Sequence, residues 1–164
     1  LNKKLINQLE EGGKLIFIRH AYAPGSGDPD NFNLNDCSTQ RNLSKEGQRQ
    51  AEYIGKFFRN NKVKIDKVLS SEWCRCKETA EIAFKDFSTN SFLNSFYSSK
   101  YAKNKDKQIK MLKNYVIKFK SDKNLILITH YVLISEVLNY APSSGEIVVS
   151  DKNFNMIGSI EINY

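Results

Sequence analysis

The chain has 164 residues, of which 40% are apolar, and this is the length of one globular domain that can bury a core without a metal or a disulfide. Its 26% charged residues, eight Gly and three Pro exclude collagen-like and Gly/Pro-rich disordered proteins, and no apolar run approaches the roughly 18 residues of a membrane span. The net charge of +7 favours anionic partners such as phosphate esters, nucleic acids or acidic membrane surfaces.

Apolar periodicity predicts helices and strands that alternate along most of the chain. In chain order these elements are a helix over 1–11, a strand over 15–18, a helix over 45–59, a strand over 67–70, helices over 72–84 and 106–120, a strand over 125–128, a helix over 132–139, and strands over 147–149 and 157–162. The strand over 15–18 is a continuous apolar run, typical of burial on both faces, and a loop rich in Pro, Gly, Asn and Asp follows it. This order predicts one domain, 1–164, built as a three-layer α/β/α sandwich with a mostly parallel sheet.

Both histidines of the chain lie just beyond the end of a buried strand. His20 follows the first strand directly after Arg19, and His130 follows the strand over 125–128. Arg75, one of only five arginines, lies on the first turn of the helix after the second strand. In open α/β sheets ligands bind beyond the carboxyl ends of the strands, arginine forks bind phosphate oxygens, and a histidine beside phosphorus can be a nucleophile. The sequence therefore predicts a phosphate site at this edge of the sheet.

Four segments, in the same order along the chain, resemble the motifs of one enzyme family. Leu15–Ala21 looks like the strand and Arg-His-Gly signature of the histidine phosphatase superfamily, which includes the phosphoglycerate mutases. The other three are the helix start in Arg41–Ala51, the arginine motif in Ser70–Ala80 and the second-histidine strand end at Ile128–His130. The loop over 27–41 is closer still to a compact bacterial subgroup. The resemblance implies a phosphoglycerate mutase-like α/β fold.

The resemblance also implies a role for each matching residue. His20 is expected to be the nucleophile, while Arg19 and Arg75 are expected to bind the phosphate oxygens. His130 is expected to complete the pocket and stabilise charge in the transition state. The implied activity is a phosphatase that hydrolyses a phosphomonoester or a phosphoprotein through a phosphohistidine intermediate, with no metal or other cofactor. A mutase is disfavoured because this chain lacks the longer insertions that seal such sites against water.

A general acid is harder to assign, because the segment in which the family carries a carboxylate, Leu93–Tyr97, has none. Glu146 is assigned to this role. The alternatives are Glu72, Asp28, Asp30 and Asp36. A site with no acid is a further alternative, and it favours substrates with good leaving groups such as phosphohistidine or acyl phosphates. Arg41, Asn94 and Ser95 are additional candidate substrate-binding residues.

Two functions of other classes stay open. A catalytically idle module that binds phosphate or phosphoprotein would keep the same pocket without an acid. A basic nucleic-acid-binding domain would use the nine lysines between Lys100 and Lys123, but arginine, which base reading usually recruits, is absent there. We therefore predict no nucleic-acid partner, no membrane span, and a monomer or a dimer.

The cysteines are relevant to the cellular compartment in which the protein is expected. Cys37, Cys74 and Cys76 are too few and too unevenly spaced for a disulfide framework or a CxxC zinc site. The resembling subgroup commonly carries an export signal and the sequence starts at Leu1, so we expect a periplasmic or exported protein, with the cytoplasm as the alternative. In an oxidising compartment a disulfide from Cys37 to Cys74 or Cys76 is expected, and free thiols are the other possibility.

Overall fold

In the computed structural model, which describes residues 3–164, six helices and six strands follow the predicted order with two additions. The helices are α1 (Lys3–Glu11), α2 (Lys45–Asn60), α3 (Cys74–Phe84), α4 (Ser99–Ala102), α5 (Lys105–Lys118) and α6 (Tyr131–Leu138). The strands are β1 (Leu15–Arg19), β2 (Ile65–Ser70), β3 (Ser88–Thr89), β4 (Asn124–Thr129), β5 (Ile147–Ser150) and β6 (Met156–Ile160). Residues 1 and 2 of the helix predicted over 1–11 lie outside the described residues.

The six strands form one sheet in the order β3-β2-β4-β1-β5-β6. Strands β3, β2, β4 and β1 are parallel, whereas β5 runs antiparallel to both β1 and β6. The central strand β1 pairs Ile18 with Ile128 of β4 on one side and with Ile147 of β5 on the other. The sheet is therefore mostly parallel, as predicted, and β1 has a strand on each side.

Helices cover both faces of the sheet, because the side chains of each central strand alternate between two apolar layers. Ile16 and Ile18 of β1 pack in a layer with residues of α1, α2 and α3. Leu15 and Phe17 face the opposite layer, which contains residues of α5 and α6. This is the predicted α/β/α sandwich, and it explains why β1 reads as a continuous apolar run.

The two unpredicted elements, β3 and α4, are short. Strand β3 has two exposed residues at the edge of the sheet, so it carries no apolar pattern that a sequence could reveal. Helix α3 starts at Cys74 rather than at residue 72, because Trp73 has extended backbone and its N–H donates to the hydroxyl of Ser71. Among residues 3–164, no helix is both long and apolar enough to cross a bilayer.

Candidate active site

A cavity of about 580 Å³ opens beyond the carboxyl ends of β1, β2 and β4. Its lining contains six cationic or histidine side chains: Arg19, His20, Arg41, Arg75, Lys100 and His130. It also contains five aromatic side chains: Phe32, Trp73, Tyr97, Tyr101 and Tyr131. The cavity thus combines groups that bind an anion with an apolar wall.

The first of these groups, His20, is held in one orientation. It is 2% exposed, and its Nδ1 lies 2.8 Å from the carbonyl oxygen of Ala21, so Nδ1 carries the proton and donates it. Its Nε2 is therefore unprotonated and carries a lone pair. Burial, followed by the charge of Arg75, holds the pKa of His20 well below its ordinary value. The imidazole is neutral at neutral pH, which a nitrogen nucleophile requires.

The guanidinium of Arg75 lies at the centre of the site. Its Nε donates to Nε2 of His20 at 3.2 Å, and its Nη1 donates to Oδ1 of Asp28 at 2.9 Å. The side chain is 4% exposed. Because the arginine stands on the first turn of α3, the rigid helix start fixes its position against the end of β1.

Two further arginines line the cavity from different directions. Nη1 of Arg19 donates to the carbonyl of Pro142 at 3.0 Å, and its Nε is buried with no hydrogen-bond partner among the described residues. Arg41 organises its own loop, because its Nε donates to the carbonyl of Gly27 at 2.7 Å and its Nη1 donates to that of Ala23. Both arginines still have donors available for an anion.

The second histidine, His130, is buried beside the first. The ring centroids of His20 and His130 lie 5.7 Å apart in an edge-to-face arrangement. Nε2 of His130 lies 2.8 Å from the hydroxyl of Ser71, whereas its buried Nδ1 has no hydrogen-bond partner within residues 3–164. Burial and the neighbouring arginines hold the pKa of His130 well below its ordinary value, so the ring is neutral in the free protein at neutral pH.

The turn before β5 fixes the end of β1. The N–H of Gly145 donates to the carbonyls of both Arg19 and His20 at 3.1 Å. Its φ of +69° is a conformation that glycine adopts readily, and a Cβ there would lie 2.4 Å from the side chain of Gln50. The backbone at Arg19 and His20 is thus fixed by a segment distant in sequence.

The sequence model of the histidine phosphatase superfamily (branch 1) matches residues 15–93, which carry Arg19, His20, Arg41 and Arg75 of the cavity. The matched segment is just under half of the chain, and it is similar to the histidine phosphatase superfamily. By sequence, no curated protein matches the chain.

Solved structures with a similar fold cover most of the chain. The protein histidine phosphatase SixA in complex with tungstate superposes with a TM-score of 0.59 at 14% identity, covering 90% of this chain and 96% of that one. TTHB049 from Thermus thermophilus gives 0.63 at 15% identity, covering 90% and 98%. A mutant phosphoserine phosphatase from Entamoeba histolytica in complex with phosphoserine gives 0.58 at 18% identity, covering 83% and 89%. At these identities the likeness concerns the fold.

The structure brings most of the predicted site residues together. Six of the eight line one cavity: Arg19, His20, Arg41, Arg75, Ser95 and His130. Asn94 does not line it, because its side-chain oxygen accepts the N–H of Glu72 at 2.8 Å and its amide donates back to the Glu72 carboxylate at 2.8 Å. Asn94 therefore braces the start of α3 and is not retained as a substrate-binding residue.

The general acid assigned from sequence needs a correction. Glu146 is 3% exposed and does not line the cavity. Its carboxylate accepts the N–H of Ser143 at 2.8 Å and the hydroxyl of Tyr140, so both oxygens are engaged within the turn before β5. This position does not fit a proton donor to a substrate. The carboxylates that do line the cavity are Asp28 and Asp30, from the loop after β1.

The sequence did not predict the aromatic side of the cavity, which includes Phe32, Trp73 and Tyr101. Trp73 stacks on Phe32 at 5.1 Å between ring centroids, and Tyr101 packs edge-on against Trp73 at 5.4 Å. These three residues are far apart in sequence and belong to a loop, a helix start and the short helix α4. No periodic pattern links such positions, so only the fold could bring them together.

A disulfide joins the loop after β1 to the start of α3. Cys37 is bonded to Cys74, whereas Cys76 is a buried free thiol, so the structure selects the first of the two pairings considered above. Burial raises the pKa of Cys76 to about 12, which keeps that thiol protonated. The disulfide attaches the loop carrying Asp28 and Arg41 to the residue next to Arg75.

We expect reduction of Cys37–Cys74 to lower activity before it unfolds the domain, since the loop loses its covalent link to α3. The bond closes a loop with a sequence separation of 37 residues, and such a bond contributes on the order of 3–4 kcal/mol to stability. Activity and melting temperature with and without reductant measure both effects. The Cys37→Ser variant is the control: it should match the reduced wild type and not respond to reductant. Three free thiols in the unreduced, denatured wild type would contradict the bond.

Proposed function

We propose that this protein is a phosphatase that transfers the phosphoryl group of a phosphomonoester or a phosphoprotein to Nε2 of His20 and then to water. The observation that carries this proposal is the hydrogen bond from Nδ1 of His20 to the carbonyl of Ala21. It fixes the tautomer in which Nε2 has a lone pair, next to the guanidinium of Arg75. Nucleophile and anion-binding group are thus adjacent before substrate binds.

The surrounding charges support the same chemistry. Arg19, Arg41 and Arg75 supply donors for the equatorial oxygens of a phosphoryl group, whose negative charge they stabilise in the transition state. His130 is buried and neutral, and its Nδ1 has no hydrogen-bond partner among the described residues, so it can form a hydrogen bond with an additional phosphoryl oxygen. These groups supply the charge stabilisation that the proposed phosphoryl transfer needs.

The proposed reaction has two steps. In the first, Nε2 of His20 attacks phosphorus and the bond from phosphorus to the leaving oxygen breaks; this oxygen takes up a proton, which gives phosphohistidine and an alcohol. In the second, water attacks phosphorus and gives up a proton, the nitrogen–phosphorus bond breaks, and Nε2 recovers its lone pair. Phosphate leaves and the neutral histidine is restored.

Trapping the intermediate tests this proposal. Rapid acid-free quenching of the wild type with labelled 4-nitrophenyl phosphate should give a phosphoprotein that is stable to base and labile to acid, with the label on the peptide containing His20. An idle phosphate-binding module of the same fold would bind tungstate but incorporate no label. Label on a serine, or none during measurable turnover, would overturn the proposed mechanism.

A further inference from the structure

The carboxylate of Asp28 occupies donors that a phosphoryl group needs. Its Oδ1 accepts Nη1 of Arg75 at 2.9 Å and the backbone N–H of Arg41 at 3.0 Å. Its Oδ2 accepts the indole N–H of Trp73 at 3.1 Å. The Asp28 side chain is 16% exposed and lines the cavity. A planar carboxylate with three converging donors resembles one edge of a bound phosphate.

A single guanidinium connects this carboxylate with the nucleophile. Nε of Arg75 contacts His20, and Nη1 of the same group contacts Asp28. In phosphoryl transfer the attacking atom and the leaving oxygen lie on opposite sides of phosphorus. A phosphoryl group bound along this guanidinium would have His20 towards one end and Asp28 towards the other, which would place Asp28 on the side of the leaving group.

The charges around Asp28 change when a dianion binds. In the free protein its cationic neighbours are Arg75 on α3 and Arg41 on its own loop, with Arg19 at the end of β1. The other titratable groups that line the cavity are His20, His130, Asp30, Lys100, Tyr97, Tyr101 and Tyr131. A dianion on Arg75 competes for its donors and places negative charge beside the carboxylate. Like charges at this distance favour the protonated acid.

We infer that Asp28 is the general acid of this site: its carboxylate fills the phosphate donors of Arg75 in the free protein, takes up a proton when a dianionic phosphoryl group binds, and delivers that proton to the leaving oxygen. This inference rests on the proposed function. It also replaces the carboxylate missing from Leu93–Tyr97 with one from a different loop.

The proton balance follows from this role. As the phosphorus–oxygen bond breaks, its electron pair moves to the leaving oxygen, which takes the proton of the Asp28 carboxylic acid and departs as an alcohol. The carboxylate that remains then accepts a proton from the water that attacks phosphohistidine. Phosphate and the protonated acid are formed, and release of phosphate returns the Asp28 proton to solvent and its carboxylate to Arg75.

Sulfate binding tests the proton uptake without any chemistry, since sulfate stays dianionic between about pH 5 and pH 8. Calorimetry in buffers of different ionisation enthalpy should show about one proton taken up per sulfate in the wild type. Because binding raises the pKa of the acid, affinity should be greatest at low pH. The sulfate affinity should fall about tenfold per pH unit between the pKa of the acid in the free protein and its pKa in the sulfate complex.

Three variants test which side chain takes up the proton when sulfate binds. Asp28→Asn keeps the shape of the side chain and should abolish uptake. Asp30→Asn makes the same charge change on a side chain that has no hydrogen bond or ion pair with residues 3–164, so it should retain uptake. His130→Gln should also retain it. No uptake in the wild type, or full uptake in Asp28→Asn, would overturn the inference; if Asp28→Asn fails to fold, Asp28→Glu should retain uptake with a shifted pH midpoint.

The leaving group gives a second, kinetic test. Asp28→Asn should lower kcat/KM about a hundredfold or more for phenyl phosphate, whose phenol has a pKa of about 10. It should lower it less than tenfold for 4-nitrophenyl phosphate, whose leaving group hardly needs a proton. Asp30→Asn should keep the wild-type ratio of the two rates. An equal loss on both substrates would reject the acid role even where phosphohistidine still forms, so this failure differs from failure of the proposed function.

Discussion

His20→Ala is expected to lower kcat by about a thousandfold or more, which corresponds to ~4 kcal/mol of lost transition-state stabilisation. The loss follows from the geometry, since Nε2 of His20 is the lone pair that adjoins the guanidinium of Arg75. Steady-state turnover of 4-nitrophenyl phosphate measures it. The labelled phosphoprotein seen with the wild type should be absent.

Tungstate binding serves as the control for His20→Ala. The arginines that hold an anion remain in the variant, so its tungstate affinity should stay within about tenfold of that of the wild type. The His20→Gln variant, which keeps a polar side chain, should be equally inactive. Substantial activity in either variant would contradict nucleophilic catalysis by His20.

Arg75→Ala has the second largest expected effect, and it acts first on binding. The variant loses charge-assisted hydrogen bonds of about 1.5–3 kcal/mol, so phosphate or vanadate should inhibit about ten- to a hundredfold more weakly. Arg75→Lys should recover little of this loss, because an ammonium cannot contact His20 and Asp28 through one planar fork. Inhibition constants measured for both variants give the comparison.

Arg49→Ala is a matched control for Arg75→Ala. It removes the same charge from an exposed position on α2, where Arg49 lies over the ring of Tyr53 and away from the cavity lining. Its inhibition constant should stay close to that of the wild type. A similar loss in both variants would show that net charge, and not the contacts of Arg75, governs anion affinity.

The sequence predicted the parts of the site that follow directly from strand ends. His20 and His130 come immediately after β1 and β4, each of which contains a continuous apolar run, and the parallel sheet brings those strand ends to one edge. Arg75 lies at the start of α3, which follows the end of β2 and so begins at the same edge of the sheet. In these positions local pattern and global topology agree, so residues far apart in sequence could be assigned to one pocket.

Loops were harder to predict, because their paths depend on contacts that no periodic pattern encodes. Glu146 and Asp28 are both acids near turn residues, and only the fold shows that the first is bonded within its turn while the second contacts Arg75. The disulfide partner was open for a similar reason. Cys74 and Cys76 are two positions apart on one helix and face different directions, so the start of α3 decides which one meets Cys37.

The position of β1 in the sheet has a consequence for how the molecule folds. Both of its neighbours, β4 and β5, lie more than a hundred residues further along the chain. During synthesis β1 therefore has no strand to pair with until most of the chain has been made. Pairings of such long sequence separation slow folding and leave an unpaired apolar strand open to aggregation. The central position of β1 holds His20 rigidly in the folded protein, and for the same reason β1 is one of the last strands to pair.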